Sequence, residues 1–295
     1  MKNMLAFGLF GGALVFTCLS GFSPKTGAVG PLFLKKNSPA SHFSQKIRSW
    51  KPEEVPHRTM EFPSVGTVNL FGNLENPASV LLFLSGDGGW EPRMVEFSKD
   101  FAADGETLVA GIDLMDYYKK LQTGSKKCLY PAGDLENLSE FVQKNLNLPM
   151  YLKPILVGYS SGATLAYALL CQAPTGTFRG GIALGFCPEI ELDRPLCQGS
   201  GNLTMVRRKK GPGFDFTDQP APGAPITVLQ GEADQDCFCQ KTVDFFEKMD
   251  NAEVVRLPKV GHGFAVTKNW LPQFKAAFSK IKDYPGPRPA GSGGK

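Results

Sequence analysis

The residues best suited to chemistry in this sequence surround Ser160. The segment Gly158-Tyr159-Ser160-Ser161-Gly162 fits the pattern G-x-S-x-G, with the apolar run Ile155–Val157 before it and the helix-forming run Ala163–Leu170 after it. This order of strand, tight turn and helix is typical of a nucleophile elbow. The flanking glycines are needed because a Cβ two residues from the serine would crowd the adjoining strand and helix. The pattern therefore predicts that Ser160 is the nucleophile of an acyl-transfer reaction.

A serine hydroxyl is a poor nucleophile at neutral pH, so it requires a base within hydrogen-bond reach. The chain contains 3 histidines, and two of them, His42 and His57, come before the apolar runs of the central region. The third, His262, lies in a glycine-rich turn shortly after the apolar run Val254–Leu257. We therefore predict that His262 is the general base.

The base in turn needs a carboxylate that orients it, and in sites with this elbow the chain order is nucleophile, acid, base. Asp234 follows the apolar run Ile226–Leu229 and lies between the predicted nucleophile and base. Asp236 and Glu232 are alternatives in the same loop, because one extra loop residue would exchange the acid that faces the imidazole. Asp234 is the preferred triad acid.

Acyl transfer also needs N–H donors for the oxyanion of the tetrahedral intermediate. One donor commonly follows the nucleophile, which here is Ser161, and another comes from the loop after an earlier strand. The glycine-rich turn Ser85–Trp90 follows the apolar run Val80–Leu84. We predict that the N–H of Asp87 or of Gly88 supplies the second donor.

These residues require a scaffold that brings several loops to one edge. Continuous apolar runs indicate strands buried on both faces, and their alternation with helical patterns indicates parallel βαβ units. The sequence therefore predicts an α/β fold with a mostly parallel central sheet and helices on both faces. The predicted strands are 80–84, 108–112, 155–157, 181–185, 226–229 and 254–257, and the predicted helices are 94–103, 135–145, 162–172, 240–250 and 270–282.

The segment 187–223 interrupts this alternation. It is rich in glycine, proline and charge, and it is too long for a simple loop in a compact domain. We predict a lid-like excursion there. Its basic run, Arg207–Lys210, is predicted to be a solvated loop, with an anion site as the alternative.

The two ends of the chain differ in composition from the middle. Residues 1–20 have a basic start and an apolar run, which predicts a signal peptide for export to the periplasm; lipidation at Cys18 is a minor alternative. Residues 21–63 are predicted to be an irregular arm and residues 284–295 a disordered tail. The folded domain is predicted to occupy 64–283.

The cysteines beyond the predicted signal peptide are even in number, and an oxidising compartment would pair them in disulfides. We predict that all of them pair, although not Cys237 with Cys239, because a ring across one residue is strained. A zinc site would normally show a Cys-x-x-Cys pair or closely spaced histidines. We therefore expect neither a metal nor another cofactor. The cysteines concerned are Cys128, Cys171, Cys187, Cys197, Cys237 and Cys239.

The charge balance bears on the class of partner. The chain has 32 Lys+Arg against 28 Asp+Glu, a formal net charge of +4. This mild excess lacks the basic stripes and clustered aromatic residues of nucleic-acid binders. No nucleic-acid partner is expected.

With these motifs, the chain resembles the VirJ/AcvB family of bacterial periplasmic virulence-associated proteins, a branch of the α/β-hydrolases. The resemblance spans roughly 64–283. Its most specific element is the Gly-Asp-Gly-Gly-Trp turn, because the elbow and the Gly-His turn occur in hydrolases at large. The segments that carry it are Leu84–Trp90, Gly158–Ala163, Gly231–Glu232 with Asp236–Cys239, and Gly261–Phe264.

The resemblance implies an activity and partners. AcvB-like members are associated with hydrolysis of aminoacyl-phosphatidylglycerol, and VirJ-like members with type IV secretion. The resemblance thus implies an exported serine esterase of the α/β-hydrolase fold that cleaves the aminoacyl ester of a membrane phospholipid, with secretion-system proteins as further partners. Two alternatives are a non-catalytic interaction module of such a secretion system and a generic secreted esterase acting on soluble substrates. The complete triad favours an enzyme.

Overall fold

The computed structural model describes residues 49–217 and 222–286. The predicted signal peptide, most of the predicted arm, Cys18 and most of the predicted tail lie outside these residues. The strands in chain order are β1 (His57–Phe62), β2 (Gly66–Gly72), β3 (Ser79–Leu84), β4 (Thr107–Ile112), β5 (Ile155–Tyr159), β6 (Gly180–Leu184), β7 (Glu189–Ile190), β8 (Met205–Arg207), β9 (Phe214–Phe216), β10 (Ile226–Gly231) and β11 (Ala252–Leu257).

The central sheet has eight strands in the order β1-β2-β4-β3-β5-β6-β10-β11. The pairings of β1 with β2 and of β2 with β4 are antiparallel. The remaining neighbours, from β4 to β11, are all parallel. The predicted α/β architecture with a mostly parallel central sheet is therefore confirmed, and the carboxyl ends of its parallel strands meet at one edge.

Helices cover both faces of the sheet. Successive residues of β3 point to opposite faces, so Leu82 and Leu84 belong to one buried cluster, whereas Leu81 and Phe83 belong to the other. Helices α1 and α6 pack on the Phe83 face, and α2, α3, α4 and α5 pack on the opposite face. The helices are α1 (Pro92–Ala102), α2 (Leu114–Leu121), α3 (Pro131–Asn145), α4 (Ser161–Gln172), α5 (Cys239–Phe246) and α6 (Leu271–Lys282), with 3₁₀ turns at Pro52–Glu54 and Thr267–Asn269.

The folded region begins earlier than the sequence predicts. Strand β1 lies inside the segment predicted as an irregular arm, so that part of the prediction is wrong. The physical reason is that β1 is an edge strand whose side chains are exposed or half-buried, and it therefore lacks the apolar run that marks a central strand. Strand β2 and helix α2 were likewise not predicted.

The segment 187–223 forms a second, three-stranded antiparallel sheet in the order β7-β9-β8. The disulfide Cys128–Cys197 joins it to the segment that precedes α3. A bridge between Leu129 and Leu196 lies beside this disulfide. The excursion therefore has secondary structure of its own and a covalent tie to the main domain.

Among the described residues, two disulfides form, Cys128–Cys197 and Cys187–Cys237. Cys171 and Cys239 are buried thiols, so the prediction that all six cysteines pair is wrong, while the prediction that Cys237 avoids Cys239 is confirmed. Cys171 lies within the hydrophobic core on α4, and burial raises the pKa of its thiol to about 12. An even count of cysteines does not reveal that a thiol serves as an apolar core side chain.

Alkylation under denaturing, non-reducing conditions tests this pairing. In protein recovered from an oxidising compartment, we expect Cys171 and Cys239 to be modified, because unfolding exposes them, while the four bridged cysteines resist. Peptide mapping by mass spectrometry identifies the modified positions. Modification of all six positions, or of neither Cys171 nor Cys239, would contradict the pairing.

Within the described residues, no helix combines the length and apolarity that crossing a membrane requires.

Candidate active site

Ser160 occupies a sharp turn between β5 and α4. Its φ of 55° and ψ of −123° are strained for a residue with a side chain. A Cβ on Gly158 would lie 2.0 Å from the carbonyl oxygen of Gly162, and one on Gly162 would lie 2.3 Å from the carbonyl oxygen of Ser85. Both glycines are therefore required for the turn, which presents the serine at the carboxyl edge of the sheet.

The structure brings the three predicted triad residues together. Ser160 Oγ lies 2.8 Å from His262 Nε2, and His262 Nδ1 lies 2.8 Å from Asp234 Oδ2. Asp234 is in the loop after β10 and is 2% exposed, whereas His262 is in the loop after β11. The loops that follow the parallel strands β5, β10 and β11 thus place a nucleophile, an acid and a base in one hydrogen-bonded chain.

The loop after β10 distinguishes the candidate acids. Oδ1 of Asp234 accepts hydrogen bonds from the backbone N–H groups of Asp236 at 3.0 Å and Cys237 at 2.8 Å. Oδ2 accepts a bond from the buried side chain of Gln230 at 3.2 Å, in addition to that from His262. Asp234 therefore faces the imidazole. Asp236 contributes only its backbone N–H, which donates to Asp234, and Glu232 is exposed. Sequence reasoning missed Gln230, although a polar residue at the end of an apolar strand was a signal for it.

Asp234 sets the protonation of the base. The hydrogen bond from His262 to the Asp234 carboxylate is the largest influence and raises the pKa of His262 above its ordinary value, although burial opposes the shift. The carboxylate favours the imidazolium that forms when the histidine takes the proton of Ser160.

The raised pKa predicts a pH dependence. Catalysis needs the neutral imidazole, so kcat/KM for a small neutral ester should fall as the pH decreases through the pKa of His262. Because the pKa is raised, the acid limb should lie above the pH at which an ordinary histidine titrates. Initial rates measured between about pH 5 and about pH 9 would locate it. An acid limb at or below the ordinary histidine value would contradict the assignment of Asp234 as the partner.

The predicted oxyanion donors are only partly brought together. Asp87 and Ser161 line the same cavity as Ser160, whereas Gly88 is not among the residues that line it. Among the turn, loop and cap hydrogen bonds of the described residues, none has the backbone N–H of Asp87 or of Ser161 as its donor. Gly86 approaches the nucleophile, since a Cβ there would lie 3.2 Å from the Cβ of Ser160. This placement favours Asp87 over Gly88 as the second donor.

The cavity at the triad has a volume of about 380 Å³ and an acidic lining. The guanidinium of Arg208 also lines it, 3.4 Å from Asp215 and 3.9 Å from Glu191. Burial raises the pKa of Glu189, although Arg208 opposes this shift. The carboxylates of the lining belong to Asp87, Glu189, Glu191 and Asp236. Such a lining favours a cationic group over an anionic one.

Asp234, Asp236 and His262 also hold potential metal-ligand atoms within 4.8 Å of one another. Both ring nitrogens of His262, however, lie at hydrogen-bond distance from Ser160 and Asp234. A metal on either nitrogen would have to replace one of these bonds. The arrangement is therefore that of a proton relay.

Comparison with known proteins bears on the fold. One similar solved structure is an α/β serine hydrolase without lid from Xanthomonas campestris, with 19% identity, coverage of 78% of this chain and 94% of that chain, and a TM-score of 0.44. A putative dienelactone hydrolase from Klebsiella pneumoniae subsp. pneumoniae has 14% identity, coverage of 78% of this chain and 98% of that chain, and a TM-score of 0.50. Acylaminoacyl peptidase from Pyrococcus horikoshii has 12% identity, coverage of 84% of this chain and 44% of that chain, and a TM-score of 0.52. At these identities, the two structures with TM-scores of 0.50 and 0.52 show the fold alone. No curated protein matches the chain.

Residues 78–177 match the family model described as bacterial virulence protein (VirJ). The matched region contains the Gly-Asp-Gly-Gly-Trp turn and the elbow with Ser160, while Asp234 and His262 lie beyond it. The fold is that of the α/β-hydrolases, and its described residues hold the Ser-His-Asp arrangement of a serine hydrolase. The predicted resemblance to the VirJ family is thereby confirmed over residues 78–177.

Proposed function

We propose that this chain is an exported serine hydrolase that cleaves carboxylic esters, and that its substrate is the aminoacyl ester of aminoacyl-phosphatidylglycerol. The observation that carries the hydrolase assignment is the hydrogen-bonded chain from Ser160 through His262 to Asp234, which opens into a cavity.

The geometry supports a two-step reaction. His262 Nε2 takes the proton of Ser160 as Oγ attacks the ester carbonyl, and the N–H groups of Asp87 and Ser161 stabilise the oxyanion. The imidazolium then protonates the leaving alkoxide, which frees the alcohol and leaves an acyl-enzyme. Water, deprotonated by His262, attacks the acyl-enzyme. The bond between the acyl carbon and Ser160 Oγ then breaks, the imidazolium returns its proton to Oγ, and the acid leaves. Asp234 keeps the imidazole oriented throughout.

The charge of the cavity supports an aminoacyl substrate. An aminoacyl ester carries an ammonium group one carbon from the scissile carbonyl, so the group would enter the cavity with the reacting atoms. Four carboxylates against one guanidinium line this space, and a cation would be attracted there. Export is supported by the two disulfides, which persist in oxidising compartments.

The decisive experiment compares substrates on the purified protein. Lysyl-phosphatidylglycerol and alanyl-phosphatidylglycerol in vesicles are assayed beside a neutral short-chain ester, with Ser160→Ala as the control. Preference for the aminoacyl lipids, lost in Ser160→Ala, would support the full proposal. Cleavage of the short-chain ester alone would favour the generic esterase, and no turnover of any ester would favour an interaction module of a secretion system.

The four residues of the basic run 207–210 lie in different surroundings in the folded protein. Arg208 lines the cavity beside its two acids, and Arg207 donates a hydrogen bond to the carbonyl oxygen of Asp193 while its guanidinium lies 4.6 Å from the ring centre of Phe214. Lys209 and Lys210 follow β8 in the turn toward β9. These two lysines are therefore the residues of the run that remain suited to steering the protein toward an anionic bilayer.

We expect Lys209→Ser combined with Lys210→Ser to slow hydrolysis of lipid in anionic vesicles. At about 1 kcal/mol per basic residue near the surface, the loss would reach about 30-fold at low salt and shrink at high salt. Hydrolysis of a soluble short-chain ester should be unchanged, because neither lysine lines the cavity. Equal loss on both substrates would show a role in folding, and no loss on either would show a merely solvated loop.

A further inference from the structure

We infer that Gln230 is a positioning residue of this site, which holds the Asp234 carboxylate in line with His262 and joins the loops that follow β6 and β10. The inference rests on the proposed hydrolase function. It concerns how the acid keeps its orientation.

Every polar atom of the Gln230 side chain has a partner. Its Oε1 accepts a hydrogen bond from the backbone N–H of Phe186 at 2.9 Å, and its Nε2 donates to the carbonyl oxygen of Cys237 at 2.7 Å and to Asp234 Oδ2 at 3.2 Å. The side chain is fully buried. Because a backbone N–H only donates and a carbonyl only accepts, these two partners fix which way the amide points. Its second N–H then faces the carboxylate.

Gln230 differs from the other donors to Asp234 in where it is attached. The two N–H groups that hold Oδ1 belong to Asp236 and Cys237, which move with the acid's own loop. Gln230 belongs to strand β10, within the central sheet. It also bonds the same oxygen, Oδ2, that faces His262. The sheet is thereby linked directly to the oxygen that orients the base.

The disulfide Cys187–Cys237 reinforces this link. It connects the loop after β6 to the loop after β10, the two loops whose backbones Gln230 also joins. The carbonyl oxygen of Cys187 accepts a bond from Thr164 on α4, the helix that begins directly after the nucleophile. The disulfide and the hydrogen bond from Thr164 thus connect the loop that holds Asp234 to the first turn of α4.

The chain supplies a matched control for Gln230. Gln172 is also fully buried, and its side chain also has three hydrogen-bond partners, all of them backbone groups. It donates to the carbonyl oxygens of Leu129 and Cys197 and accepts from the N–H of Ala132. It lies beside the other disulfide, and its hydrogen bonds do not reach the triad. Replacing either glutamine by leucine removes the same chemical groups from an equally buried site.

The experiment measures how fast a fluorophosphonate modifies Ser160 in Gln230→Leu, Gln172→Leu and the unmodified chain. In this reaction Oγ bonds to phosphorus, fluoride leaves and the hydroxyl proton goes to His262, so the rate reports activation of the serine. We expect Gln230→Leu to lower the labelling rate and kcat about 10- to 100-fold with little change in KM, since a misplaced catalytic group can cost about 100-fold. Gln172→Leu should lower the thermal unfolding midpoint without slowing labelling of the folded protein.

Further variants keep the test sharp if Gln230→Leu does not fold. Gln230→Glu preserves size and the acceptor for Phe186 but has at most one proton to donate, so it cannot bond both Asp234 and the carbonyl oxygen of Cys237. We expect it to lower the labelling rate and kcat with little change in KM. Removing Cys187–Cys237 by paired alanine substitution should slow labelling, whereas removing Cys128–Cys197 should not.

Two results separate the hypotheses. Failure of the unmodified chain to react with the probe would overturn the proposed function. Equal labelling rates for the Gln230 and Gln172 variants, with normal reaction of the unmodified chain, would overturn the positioning role alone.

Discussion

Ser160→Ala is expected to abolish ester turnover, with a loss of about 10⁶-fold in kcat and complete loss of fluorophosphonate labelling. The hydroxyl of Ser160 lies 2.8 Å from His262 Nε2 and has no substitute in alanine. The neighbouring variant Ser161→Ala is the matched control, because it keeps the backbone N–H that we assign to the oxyanion. Steady-state rates on a short-chain ester measure both.

Ser160 and His262 should act as one catalytic unit. His262→Ala alone is expected to cost about as much as Ser160→Ala, and the double variant little more, because the hydroxyl and the imidazole contribute only together. Losses that multiply in the double variant would contradict the arrangement. Labelling that persists at another serine in Ser160→Ala would place the nucleophile elsewhere.

Asp234→Asn should lower kcat of the folded protein about 10⁴-fold. It should also lower stability, because the amide nitrogen that replaces Oδ2 faces the N–H donor of the buried Gln230 side chain. An amide facing His262 Nδ1 stabilises the wrong tautomer and no longer stabilises the imidazolium. Because the bond from His262 to Asp234 is the largest cause of the raised pKa of His262, the acid limb of kcat/KM should also move to lower pH. The residual activity of the variant, measured across pH, tests both effects.

Asp236→Asn is the comparison that separates the two candidate acids. Its side chain does not bond the imidazole, and its backbone N–H to Asp234 is retained, so activity on a neutral short-chain ester should change by less than about tenfold. A larger loss in Asp236→Asn than in Asp234→Asn would show that Asp236 is the triad acid.

Much of the fold and part of the site follow from local sequence. Strands β3 to β6 and β10 are buried on both faces and therefore form continuous apolar runs, which made the parallel sheet predictable. The elbow at Ser160 was predictable because strand, strained turn and helix are consecutive in the chain. The edge strand β1 was not, because its side chains face solvent and carry no apolar pattern.

The sequence by itself determined the nucleophile, the base and the loop that holds the acid, since each follows a recognisable strand. Only the tertiary structure decided between Asp234 and Asp236, excluded Gly88 from the cavity lining, paired Cys187 with Cys237 and placed Gln230 against the acid. The physical reason is that these choices depend on contacts between the loops that follow β3, β5, β6, β10 and β11, which are far apart in the chain. Gln230 is near Asp234 in sequence, but its amide is oriented by Phe186 in the loop after β6. No local periodicity or spacing encodes which side chain of one loop meets an atom of another.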